Sequence, residues 1–166
     1  MSNANIGAIV GAAFGCGWGI VGSRGLPPHF RTLGMIFAVG VSLALIIALV
    51  LHPSTLRGTF RGGIYGGAIA FEVVAILAGA IVLRRPALEH FIVPFVGFVV
   101  GLHFIGLWKA TELPLFLRIA TAMCIVCAVA AFLPTSSASG ADLRTAVTGL
   151  GSAVVLWSSG LFTLLH

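Results

Sequence analysis

Glu72 stands in the middle of a long apolar run, and it is the side chain of this sequence best placed to do chemistry. Ionisable groups at bilayer depth are costly, so they face a protein interior, pair with another polar group and mark ligand, ion or proton sites. Counting about 1.5 Å of helical rise per residue from a turn near Pro86, Glu72 lies roughly 21 Å deep and His103, on the next run, roughly 25 Å. From the following turn, near Thr111, His103 is about 12 Å deep and Arg118 about 10 Å, while Trp157 lies roughly 26 Å beyond the last loop. These four side chains on four different runs share one layer, and Tyr65 joins them on the Glu72 face.

In a low-dielectric layer a Glu, a His and an Arg offer three kinds of chemistry. An arginine holds a carboxylate ionised or clamps an anionic solute, burial favours the neutral carboxylic acid, and an imidazole exchanges protons near neutral pH. The set therefore suits a binding site with proton exchange. It equally suits an acid and base pair acting on a lipophilic substrate, or a buried polar pair that merely fixes helix register. The neighbours of Glu72 at helical spacing are Tyr65, Ala68, Ala75 and Gly79, a small-residue stripe expected to look into protein.

The elements that must carry these residues follow from composition. Hydrophobic residues make up 59% of the 166 and charged residues 8%, far below the roughly one quarter of soluble domains, which excludes an ordinary water-soluble fold. Lipid leaves backbone groups no water to bond, and continuous apolar runs without period-two alternation select helices over a barrel. The expected fold is an all-α integral membrane bundle of six transmembrane helices in a single domain, 1–166. The spans are about 6–22, 33–51, 63–83, 91–108, 113–133 and 145–165, separated by Pro27-Pro28, His52-Pro53, Pro86, the region around Lys109 and Pro134. The first run has no basic leader and no small-x-small cleavage site, so it is expected to stay as a helix.

The net charge of +5 comes from cations scattered between the runs, which gives no polybasic tract for nucleic acid. Arg24, Arg31, Arg84, Arg85 and Arg144 fall on one side, and Arg57, Arg61, Lys109 and Arg118 on the other. A split this even assigns no orientation and permits dual topology. The chain is expected in the inner membrane, with the lipid bilayer and an unknown small molecule as partners.

Gly7, Gly11, Gly15 and Gly19 place a glycine stripe along the first span, and Gly63 with Gly67 and Gly97 with Gly101 repeat the spacing. Such faces admit another backbone closely. They serve packing within the chain, a homo-oligomer or docking onto a partner membrane subunit. Cys124 and Cys127 form a CxxC inside a span, where packing explains them better than redox chemistry. No metal site is expected: His29, His52, His90 and His166 lie at span ends, and no HxxxH or HxxE spacing occurs. The sequence leaves any cofactor unknown.

The run Val100-Gly101-Leu102-His103-Phe104, with Phe71-Glu72 and Leu156-Trp157, resembles a pattern of small uncharacterised bacterial multi-pass membrane proteins with a GLHF motif. That resemblance implies that the Glu and His belong to one site and carries no activity with it. In size and span count the chain also looks like the substrate-binding subunits of energy-coupling-factor vitamin transporters, whose first helix bears a small-xxx-small docking face. By that analogy Gly7 to Gly19 would dock a partner. The functional expectation is small-solute binding and transport, with an intramembrane enzyme and a structural subunit as alternatives.

Overall fold

The computed structural model describes residues 3–52, 59–135, 137 and 139–165. Pro53, Arg57 and His166 are not among them. The described residues form six α-helices and no strand: α1 Asn3–Arg24, α2 Pro28–Leu51, α3 Gly62–Leu83, α4 Ile92–Thr111, α5 Pro114–Ala131 and α6 Leu143–Leu164. Each is long and apolar enough to cross a membrane, so the protein is a multi-pass membrane protein built as a helical bundle.

Local chemistry sets the helix ends. Proline fixes φ and lacks a donor that a first turn does not need, and α2 and α5 accordingly begin on Pro28 and Pro114. That is why α2 starts well before Leu33. Asp142 caps α6, its carboxylate accepting from the Thr145 backbone N–H at 3.2 Å and from the Thr145 hydroxyl at 2.6 Å. α4 ends on Glu112, which adopts the left-handed conformation at φ 59°.

The bundle is organised around α6, which touches α1, α2, α4 and α5 and is buried along its length from Ala146 to Thr163. α1 lies between α6 and α2, while α4 packs on α5. α3 differs from the rest. Its substantial helix contact is with α4 alone, and none of its residues is buried. Phe71, Val74, Leu77 and Ile81 on its outer side are more than half exposed, a surface suited to lipid and not to water.

The glycine stripe of α1 is consumed inside the chain. A Cβ on Gly15 would fall 2.6 Å from the Trp157 indole nitrogen, one on Gly19 2.6 Å from the Ala38 Cβ, and one on Gly7 3.3 Å from the Phe116 ring. Gly11 has the Ser159 hydroxyl at ordinary contact distance, 3.9 Å. Farther along, α1 and α6 meet backbone to backbone, where a Cβ on Gly22 would lie 2.4 Å from the Leu150 nitrogen. The docking face expected from the transporter analogy is therefore already covered by α2, α5 and α6.

Gly97 and Gly101 of α4 are likewise filled, by Cys127 and Cys124, whose sulfurs would sit 2.6 and 2.9 Å from added Cβ atoms. The CxxC is a pair of small knobs set into a glycine groove. Gly63 and Gly67 have open space around them.

Candidate functional site

α3 is held to α4 by the small stripe read from the sequence. A Cβ on Gly106 would lie 2.3 Å from the Ala68 Cβ, and one on Gly79 would enter the Phe95 ring. Between these two close approaches Glu72 meets His103, with Oε2 3.0 Å from Nδ1. Their side chains are 21% and 10% exposed. The Nδ1 atom is enclosed, yet the carboxylate oxygen is not aligned to complete a hydrogen bond with it. The pair is thus at ion-pair distance, with hydrogen-bonding capacity that the protein leaves open.

Aromatic rings enclose the imidazole. Tyr65 stands edge-on to His103 with centroids 5.7 Å apart, and Phe104 does so at 6.1 Å. Phe60 packs against Tyr65 in turn, at 5.5 Å. At the same end of α3, the Arg61 backbone N–H donates to the Ala110 carbonyl at 2.9 Å and the Arg61 guanidinium pairs with Glu112. Both contacts fasten the start of α3 to the end of α4, which fixes the height at which Glu72 faces His103.

The pair opens onto a cleft of about 560 Å³ between α1 and α3, backed by α4 and reaching Phe116 of α5 and Leu156 of α6. Ile6, Val10 and Phe14 of α1 form one wall, each about half exposed, so the cleft is open between the two helices. Glu72 and His103 are the ionisable groups on an otherwise apolar surface, apart from the Tyr65 phenol, and Thr111 lies toward the helix ends. Ligand pockets typically enclose about 300–1,000 Å³ of mainly apolar wall with a few placed polar groups, which is the character of this one.

The structure brings Glu72, His103 and Tyr65 together and separates Arg118 and Trp157 from them. Trp157 is buried on the far side of α1, between Gly15, Gly19 and Ala38, and its indole N–H donates to the Ser42 hydroxyl at 2.9 Å. It points away from the cleft, toward α2. Arg118 is exposed on α5 and lines a smaller cavity that shares Phe104, Phe116 and Leu156 with the cleft. Among the described residues it makes no ion pair with Glu72. Phe104, named in the sequence only as part of the GLHF run, and Phe116, not singled out there, form the inner wall of the cleft, their rings 6.3 Å apart and nearly parallel at 22°. Phe104 directly follows His103, but nothing in its spacing distinguishes it from a core residue.

Among the described residues no group of three or more His, Cys, Asp or Glu side chains is placed to hold a metal ion. No family model, no curated protein and no solved structure matches this chain. Its functional reading accordingly rests on the cleft.

Proposed function

We propose that this protein binds a small, largely apolar molecule in the cleft between α1 and α3 and carries it within or across the membrane, with a polar group of that molecule held at Glu72 and His103. The observation that supports this reading is the contact of an enclosed imidazole and a carboxylate at 3.0 Å on the wall of an apolar cleft large enough for a ligand. A hydrogen-bonding group on the ligand completes what the two side chains leave open, and a proton passes between carboxyl, imidazole and ligand as it enters or leaves. A strongly hydrophilic solute fits poorly, because most of the wall offers it nothing in exchange for its hydration. Helical rather than barrel spans support the cytoplasmic membrane as the location.

The test is native mass spectrometry of protein extracted gently from its own membranes, wild type beside Glu72→Gln and His103→Ala. A molecule retained by wild type and lost from both folded variants supports the binding site and names its class. Absence of any retained molecule, with changes only in yield or oligomer distribution, supports a purely structural role instead.

The same 3.0 Å contact also favours a second reading, an intramembrane enzyme in which Glu72 orients His103 as a general base. Incubation of the retained molecule with protein in nanodiscs separates the two. Chemical conversion without any gradient supports the enzyme, and recovery of unchanged molecule supports binding and transport.

A further inference from the structure

Two branches of apolar space meet at the stacked rings of Phe104 and Phe116. One is the cleft that holds Glu72 and His103. The other, about 230 Å³, lies between α1, α5 and α6, and Gly7, Gly11 and Leu156 border both. The glycines matter here, since the absence of side chains on that face of α1 leaves the two spaces adjoining.

Among the described residues Arg118 is the one charged side chain on the second branch. Among the described residues it has neither a carboxylate at ion-pair distance nor a hydrogen-bond partner. The other described cations near this end of the bundle are differently placed: Arg61 is paired with Glu112, and Lys109 lies with that pair at another surface hollow. An unpaired guanidinium beside an apolar cavity is the group best suited to receive a carboxylate or phosphate, whose oxygens it binds in bidentate fashion.

Depth agrees with a shared ligand. Arg118 lies about 6 Å along its helix from Pro114, and His103 about 12 Å along its own from Thr111, so the guanidinium side is about 6 Å nearer the membrane surface. A molecule anchored at Arg118 and running inward past Phe104 and Phe116 reaches the Glu72–His103 contact with its inner end, which carries the hydrogen-bonding group held there.

We infer that Arg118 forms an anion subsite of the same binding site, so that the ligand is an elongated lipophilic molecule with a carboxylate or phosphate at its outer end. This rests on the cleft being a binding site, and the experiment separates failure of the two. Full-length protein in zwitterionic phosphatidylcholine nanodiscs is photolabelled with three diazirine-bearing twelve-carbon probes, an alkyl phosphate, a carboxylate and the neutral alcohol. Labelled residues are mapped by mass spectrometry as a function of probe concentration.

The expected result is labelling around Phe104, Phe116 and Leu156, with half-saturation by the phosphate or carboxylate at a concentration about tenfold below that of the alcohol, the worth of one charge-assisted contact. Arg118→Gln abolishes that preference, so that the acids and the alcohol half-saturate at similar concentrations, and Arg118→Lys restores part of it. Size-exclusion profile and thermal midpoint confirm that each variant is folded.

Equal labelling by acids and alcohol in wild type overturns the anion subsite while leaving the cleft as a binding site. Acid preference that survives Arg118→Gln overturns its assignment to Arg118. Failure of all three probes to label the cleft overturns both readings. Phosphatidylglycerol added to the discs identifies the source: displacement of the phosphate probe supports a lipid headgroup, and persistence of the label supports a single-chain amphiphile.

Discussion

Gly106 of α4 faces Ala68 of α3 so closely that a Cβ on the glycine would lie 2.3 Å from the alanine Cβ, one helical turn from the meeting of Glu72 and His103. The spacing of α3 from α4, and with it the contact of the two polar groups, is set by these small residues. Gly106→Ala should push the helices apart at a cost of about 1–3 kcal/mol, the usual penalty of overpacking. Ala68→Gly in the same molecule should return most of that loss, because the two changes share one gap. Thermal midpoints of the two singles and the double, together with retention of the co-purifying molecule, check this. Additive losses would show that the contact does not position the site.

Removal of either polar partner alone should be worse than removal of both. Glu72→Leu leaves an enclosed imidazole nitrogen without its carboxylate, at a cost of about 1–3 kcal/mol, whereas Glu72→Leu combined with His103→Leu takes out both polar groups. The double variant should therefore unfold closer to wild type than the Glu72 single while binding no ligand. If the double retains the ligand, the pair is a structural fastener and no binding site.

The contact of Glu72 with His103 was legible in the sequence because depth along a helix is simple arithmetic and the residues flanking Glu72 are small. The azimuth of each helix was not. Trp157 and Arg118 point away from the Glu72–His103 contact, because their directions depend on how α6 seats against α2 and how α5 turns toward its surroundings. The glycine stripe of α1 announced a close approach without naming what approaches, and an indole, an alanine and a phenyl ring fill it as well as backbone. The isolation of α3 on α4 was hidden for a similar reason, since a small-residue stripe reads the same whether one helix or several cover it. The fold class and the six spans were plain from composition and run length, because a bilayer allows a chain this apolar few alternatives.

Trp157 should matter to folding and not to the ligand. Trp157→Phe keeps most of the ring that fills the space over Gly15 and Gly19 but leaves the buried Ser42 hydroxyl without its indole donor. A loss of about 1 kcal/mol is expected from one hydrogen bond. Binding of the co-purifying molecule, measured by native mass spectrometry, should be unaffected. A binding defect in a variant of wild-type stability would bring Trp157 back into the site.

Glycines of the same helix should respond in opposite directions. Gly22→Ala sets a methyl group 2.4 Å from the backbone nitrogen of Leu150, which cannot rotate away, and should cost more than Gly15→Ala, whose nearest neighbour is an indole side chain. Gly17 has no neighbour within 4 Å, so Gly17→Ala should stabilise by about 0.5–1 kcal/mol through reduced backbone entropy. Gly67→Ala on α3 should behave like Gly17→Ala for the same reason. Thermal midpoints in detergent rank the four, and a loss of oligomer specific to Gly67→Ala would instead mark that face as an interface with a second copy.

Glu112 combines two opposed effects, and its substitutions separate them. Its left-handed backbone at φ 59° costs a non-glycine residue about 1–2 kcal/mol, while its exposed ion pair with Arg61 is worth no more than about 1 kcal/mol. Glu112→Ala keeps the strain and loses the pair, so it should destabilise. Glu112→Gly loses the pair but relieves the strain, so its thermal midpoint should equal or exceed that of wild type. Raising the salt concentration should move wild type toward Glu112→Ala by screening the pair and leave the glycine variant in place. A glycine variant as unstable as the alanine one would mean that the fastening of α3 to α4 by Arg61, and not the turn that ends α4, is what Glu112 contributes.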